Sequence, residues 1–189
     1  MKRWLSRYLS LLTLIPVAVL LIFITANIFR AYHDLEQANK TISNVRLVTI
    51  TSQIVHELQK ERGMSAGFIG SKGSEFVSEL KNQRTLTDKE VNSLKSFMVD
   101  IDYQQQINKT MQQLFNDLGQ LQIIRQQVDA LSITLPKALR YYTVNNLLLL
   151  DLNGHLASEL EETTSAERFL ILYNIAYAKE QAGIERAVL

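Results

Sequence analysis

The sequence predicts an all-α protein in which an N-terminal transmembrane helix leads into an antiparallel bundle of long helices. Three observations carry this. No charged residue interrupts Tyr8 to Phe29; apolar residues beyond Arg30 recur with a period near 3.5, with no segment alternating as a strand; and 189 residues include only 2 Pro and 7 Gly, so interior helix breakers are few.

The apolar run at 8–29 reaches the roughly 20 residues that a helix rising about 1.5 Å per residue needs to cross hydrocarbon. Lys2, Arg3 and Arg7 precede it. Positive charge on the short side keeps residues 1–7 cytoplasmic and sends everything after Arg30 across the membrane. A cleaved signal has an apolar region of about 7–15 residues and a small-x-small cleavage site, so this longer run, with Thr25-Ala26-Asn27 in that position, reads as a retained anchor. Pro16 is tolerable inside a bilayer helix. Setting aside the three leading cations leaves 17 Lys and Arg against 19 Asp and Glu, interleaved along the chain. No basic stripe marks a nucleic-acid partner, and any anion site must arise from local arrangement. Cysteine is absent, which suits a periplasmic domain and a cytosolic one equally.

A juxtamembrane segment, 30–46, carries Leu35, Ala38, Ile42 and Val45 at heptad-like steps, a pattern that points to a homodimer. The helix continues into a domain spanning 47–189 with the stripe Ile54, Leu58, Arg62, Ser65, Ile69, and the glycines between Gly67 and Gly73 are expected to end it. A second helix is predicted from about Ser74 to the Asp100-Ile101-Asp102 break, with Phe76, Leu80, Thr87, Val91, Leu94 and Met98 on one face. A third carries Ile107, Met111, Leu114, Leu118, Leu121, Arg125 and Val128 as one continuous stripe. Pro136 opens a fourth, with Leu139, Tyr142, Asn146 and Leu149 reaching about Leu156. Thr164-Ser165-Ala166-Glu167 is a capping box that starts the last. That helix is still in phase at Leu189, so the chain is expected to be the front part of a longer receptor.

Catalytic motifs are weak. Gly63-Met64-Ser65-Ala66-Gly67 matches the serine hydrolase elbow in letters only, because that motif needs a strand before it and a helix precedes it here. His56-Glu57-Leu58-Gln59-Lys60 has lysine where a zinc site needs its second histidine, and with no cysteine and no clustered acidic ligands neither a metal site nor a cofactor is expected. The chain does not read as an enzyme. Arg84 and Asp88, four apart, read as a surface pair contributing a few tenths of about 1 kcal/mol.

Arg62 and Arg186 stand out. Each follows a glutamate (Glu61, Glu185), each continues an apolar stripe, and each is flanked by small residues: Gly63, Ser65 and Ala66 around one, Ala182, Gly183 and Ala187 around the other. By periodicity alone such an arginine is either a snorkelling side chain partnered by its neighbouring glutamate or a buried cation, and a buried cation left unpaired costs several kcal/mol.

The run Val55-His56-Glu57-Leu58-Gln59-Lys60-Glu61-Arg62-Gly63-Met64-Ser65-Ala66-Gly67, followed by Gln83-Arg84-x-x-Thr87-Asp88 and then Lys179-Glu180-Gln181-Ala182-Gly183-Ile184-Glu185-Arg186-Ala187, resembles the nitrate- and nitrite-sensing (NIT) domain family. The resemblance covers roughly Leu47 to the end. It implies an all-helical, extracytoplasmic sensor domain of bacterial inner-membrane receptors, homodimeric, with arginines from two helices holding nitrate or nitrite. Carried onto matching positions, the ligand-binding residues are Arg62 and Arg186, supported by Ser65, Gly63, Gly183, Glu61 and Glu185. A guanidinium is a planar fork suited to a planar oxyanion, and the reading requires two such forks to converge on a shielded cavity sized for one anion. Arg62 lies about 50 Å along a continuous helix from the membrane at 1.5 Å per residue. Family members usually continue into further helices and an output module such as a chemotaxis signalling domain, a kinase or a nucleotide cyclase, none of which is in this sequence. The same residues leave two alternatives open: a receptor domain for another small anion such as a carboxylate, and a dimerisation or scaffold stalk without ligand.

Overall fold

A computed structural model describes residues 2–99, 105–158 and 164–188, with side chains described over 14–99, 109–158, 171 and 173–185. Among the described residues there are six α-helices and no strand: α1 Lys2–Gly70, α2 Val77–Val99, α3 Gln105–Gly119, α4 Leu121–Asp129, α5 Leu135–Ser158 and α6 Thr164–Val188. The chain divides into two units, 1–43 and 44–189.

The first unit consists of α1 residues alone. The helix is long and apolar enough to cross a membrane, and the apolar side chains from Leu14 to Phe29 are exposed. It passes through Pro16 without a break. Two polar residues near the end of the run are satisfied within the helix: Thr25 Oγ1 donates to the Leu21 carbonyl, and Asn27 Nδ2 donates to the Phe23 carbonyl at 2.7 Å. Such back-bonding lets a polar side chain sit on a helix where water is absent. Residues 8–13 of the expected span have helical backbone, and their side chains lie outside those described.

The second unit is built around the other half of α1. Leu47, Ile54 and Leu58 of α1 meet Leu94 of α2, Met111 and Leu114 of α3, and Tyr142, Leu149, Leu152 and Leu156 of α5 in one buried core. Most of the period-3.5 stripe positions fall where the sequence puts them: Ile54, Leu58, Arg62 and Ser65 are all buried, as are Leu80, Thr87, Val91 and Leu94, whereas Phe76 precedes α2 and is exposed. A smaller core of Leu80, Val128, Ile133 and Ala138 closes the end where α1, α4 and α5 meet their turns. α5 also packs against α6.

One boundary differs from the expectation. The third helix is two helices, because the chain turns at Gln120, whose N–H bonds back only to the Asp117 carbonyl at 3.0 Å before α4 restarts. The stripe stays in register across this break, so periodicity alone does not reveal it. α1 ends at Gly70, within the 67–73 region expected to end it, and Lys72 there takes the left-handed conformation (φ 54°) that usually falls to glycine. Lys72 N–H bonds to the Ile69 carbonyl at 3.0 Å and Gly73 N–H to the Phe68 carbonyl at 2.8 Å, the paired bonds of a Schellman stop. Gly67 serves packing instead: a Cβ there would lie 2.4 Å from the Phe76 ring. Phe76 is itself left-handed (φ 63°), a strained backbone for a bulky residue, and it lays its ring on α1 just before α2 begins.

Leu58 is fully buried at the centre of the larger core. Leu58→Ala should destabilise the bundle by about 2–5 kcal/mol. Urea unfolding followed by circular dichroism measures this, and a loss below about 1 kcal/mol would mean that the core collapses into the space.

Candidate functional site

Consecutive residues of an α-helix point about 100° apart, and Glu61 and Arg62 use that divergence to enter two separate buried ion pairs. Glu61, fully buried, accepts from Arg125 Nε and Nη2, both at 2.8 Å, and from the Tyr142 hydroxyl at 3.0 Å. Arg125 also gives Nη1 to Asp88 at 2.6 Å and Nη2 to the Arg84 carbonyl at 3.3 Å. Burial works against the charged guanidinium, but the hydrogen bond and charge of Glu61, then those of Asp88, outweigh it and hold the Arg125 pKa above its ordinary value. Burial, and then the charge of Glu61, push the Tyr142 phenol well above the usual tyrosine range, so it remains a donor to Glu61 at all ordinary pH. Ser65 Oγ lies 3.4 Å from that hydroxyl.

Arg62 turns the other way. Its Nη1 donates to Glu180 Oε1 of α6 at 2.5 Å and to Thr143 Oγ1 of α5 at 2.8 Å, and its Nη2 reaches Glu180 Oε2 at 3.3 Å. Glu180, also fully buried, accepts further from Gln59 at 2.8 Å and from Asn146 at 3.2 Å. Gly183, three residues on from Glu180, lies against the guanidinium so closely that a Cβ would stand 2.5 Å from Arg62 Nη2. Arg62 and Gly183 together line a cleft of about 480 Å³, whose walls include Gln59, Gly63, Phe76 and Leu139. At about 30 Å³ per water molecule, this is room for a small oxyanion with part of its hydration shell, more than a single anion needs.

Of the residues singled out by sequence, the structure brings Arg62, Gly63 and Gly183 to one cleft. Glu61 and Ser65 belong instead to the Arg125 and Tyr142 cluster. Glu185 is exposed on α6. Arg186 lies in the helical backbone of α6, and its side chain falls outside the described residues.

Two expected local pairings are replaced by long-range ones. Glu61 does not partner Arg62, since neighbours on a helix do not face each other; Glu180, 118 residues away, does. Arg84 and Asp88 do not pair with one another either. Arg84 forms a two-pronged bridge to Asp129 at 2.8 and 2.9 Å, and Asp88 binds Arg125, so both residues tie α2 to α4. Arg125 and Glu180 were present in the sequence as a stripe position and as part of a motif, but nothing local marked them as each half of a buried pair. The letters of the hydrolase elbow sit inside α1, with Ser65 buried, so the strand-to-helix turn that motif requires is missing.

Removing one partner from a buried pair leaves the other uncompensated, at a cost of about 3–5 kcal/mol. Arg125→Met should cost that much in denaturant unfolding, and the double change Arg125→Met with Glu61→Leu should recover most of it. Failure of the double change to recover stability would show that the cost lies with Asp88, left without Arg125, and with the Tyr142 hydroxyl, left without Glu61.

Comparison with known proteins places these residues in a family. The sequence profile described as nitrate and nitrite sensing (NIT) matches residues 53–189, a stretch containing both ion pairs on α1 and all of α6. The search of curated proteins gave no match. Among solved structures, that of the NasR transcription antiterminator is similar over 80% of this chain, with a TM-score of 0.76 and 24% identity; at that identity the likeness is one of fold. The chain spans 42% of the length of that protein. With a profile match over most of its length, spanning the elements that carry Arg62 and Glu180, the chain belongs to the NIT family of nitrate- and nitrite-sensing domains.

Proposed function

We propose that the chain is a membrane-anchored, extracytoplasmic receptor domain that binds nitrate or nitrite between Arg62 and Arg186 and passes the binding event across the membrane. The observation that carries this reading is Arg62 itself: a buried guanidinium on α1, lining a cleft against α6, in a chain whose family senses these anions. A planar oxyanion fits a guanidinium fork through two parallel hydrogen bonds. Arg186 sits on α6, one turn beyond Gly183, so the motif that brings Gly183 to Arg62 also brings a second cation onto the same helix. α1 carries both Arg62 and the long apolar run, so a ligand that favours one arrangement of α1 and α6 over another has a covalent route to the anchor. The three cations before the run support a sensor outside the cytoplasm. Exposed Leu35 and Ile42 on α1 support association of two copies along the juxtamembrane segment.

A second reading, a small carboxylate as ligand, is favoured by one observation: the cleft has more room than nitrate requires. Titration calorimetry on the full chain in detergent micelles, in chloride-free buffer, separates them. Nitrate or nitrite should bind, acetate should compete weakly, and Arg62→Ala should weaken nitrate binding by about 10- to 100-fold, as loss of a charge-assisted pair of hydrogen bonds requires. Nitrate heat that is undiminished by Arg62→Ala, or acetate binding tighter than nitrate, would overturn the assignment.

A further inference from the structure

We infer that Glu180 is a built-in competitor of the ligand: its carboxylate occupies the fork of Arg62 that a small oxyanion would take, so that binding exchanges one anion for another and Glu180 sets the affinity. The inference rests on the reading that Arg62 holds the anion. A carboxylate and a nitrate each offer a guanidinium two coplanar oxygens, and Glu180 presents both of its oxygens to Arg62. Both partners are nearly or wholly buried, where charge is screened least. Glu180 already covers the Nη1 and Nη2 edge of Arg62 with its two oxygens, so an oxyanion can take that edge only by exchange.

The two ion pairs on α1 differ in ways that bear on exchange. Glu61 is gripped evenly by Arg125, both bonds at 2.8 Å, with the Tyr142 hydroxyl as a third donor, and Arg125 is held in addition by Asp88. Neither Glu61 nor Arg125 lines the cleft that Arg62 lines. Arg62 grips Glu180 unevenly, at 2.5 and 3.3 Å, and the same nitrogen that makes the short bond also donates to Thr143. Glu180 has donors to fall back on when the guanidinium leaves, the amides of Gln59 and Asn146. The lack of a Cβ at Gly183 leaves Nη2 of Arg62 free of side-chain crowding from α6, where any Cβ would stand 2.5 Å away. Arg125 thus commits Glu61 permanently, which keeps the carboxylate adjacent in sequence away from Arg62, and Glu180 is left as the anion that a ligand must displace.

The test is Glu180→Gln in the full chain in detergent micelles, with sodium nitrate as the probe in chloride-free buffer. The amide keeps the shape and the acceptor but removes the competing charge, so nitrate should bind at least about tenfold more tightly than to the unaltered chain. Asp151→Asn, which removes an exposed carboxylate on α5 (71% exposed), should leave the affinity unchanged. Equal or weaker binding to a Glu180→Gln chain that retains its helical circular dichroism overturns the competitor role, as does an equal gain from Asp151→Asn. Should Glu180→Gln fail to fold, the infrared difference spectrum of the unaltered chain with and without nitrate decides. A change in a carboxylate stretching band is expected as Glu180 leaves the guanidinium, and binding without one overturns the role. If neither chain binds nitrate, the receptor reading itself fails, and the competitor role fails with it.

Discussion

Everything in the second unit is arranged around two adjacent charges of opposite sign at the middle of a buried helix face. Glu61 and Arg62 cannot neutralise each other, because a helix turns them about 100° apart. Each must find a compensating charge on another element, and a buried charge that fails to find one costs several kcal/mol. The fold supplies Arg125 from α4 to one side and Glu180 from α6 to the other. α2 joins through Asp88, and α5 through Tyr142, Thr143 and Asn146. Five of the six helices described thereby meet at two consecutive residues of α1.

This arrangement is not the most stable way to fill the space. A buried ion pair typically contributes no more than well-packed apolar residues of the same volume, and often less. The larger core of leucines, isoleucine, methionine and tyrosine is sufficient to account for the association of α1, α3 and α5. The polar layer adds direction: it fixes which face of α4 and of α6 meets α1, since only one register brings Arg125 to Glu61 and Glu180 to Arg62. Gly183 sharpens that register on α6, because any larger residue there would collide with the Arg62 guanidinium.

The helices and their buried faces were legible in the sequence, because apolar spacing directly reports which side of a helix leaves water. Ile54, Leu58, Arg62 and Ser65 formed a stripe on paper and are buried together. What periodicity could not carry was any interaction between stripes. Arg125 continues its stripe as faithfully as the leucines around it, and nothing local says that its carboxylates are 37 and 64 residues away. Local reasoning assigned Asp88 to Arg84 and offered Glu61 to Arg62 for the same cause: it can see only neighbours along one helix. The turn at Gln120 was hidden because the break preserves phase, whereas the stop of α1 was visible in the glycines that surround Lys72. The family motif, by contrast, did bring Arg62, Gly63 and Gly183 into view together, and they share a cleft across a sequence separation that no helical period spans.

The unequal treatment of the two charges also explains why the sequence spends small residues on one side only. On the Arg125 side the contacts are two carboxylates, Glu61 and Asp88, and the Arg84 carbonyl, groups that hold a guanidinium from several directions. On the Arg62 side α1 presents Gly63 and Ala66 and α6 presents Gly183, and the space that larger side chains would have filled is the cleft. Arg125 has no cleft beside it, whereas Arg62, equally buried, lines one and can change partners while the apolar core stays intact. That asymmetry between two neighbouring residues is what lets a stable bundle contain an exchangeable ion pair, and it places the exchange at the contact between α1 and α6.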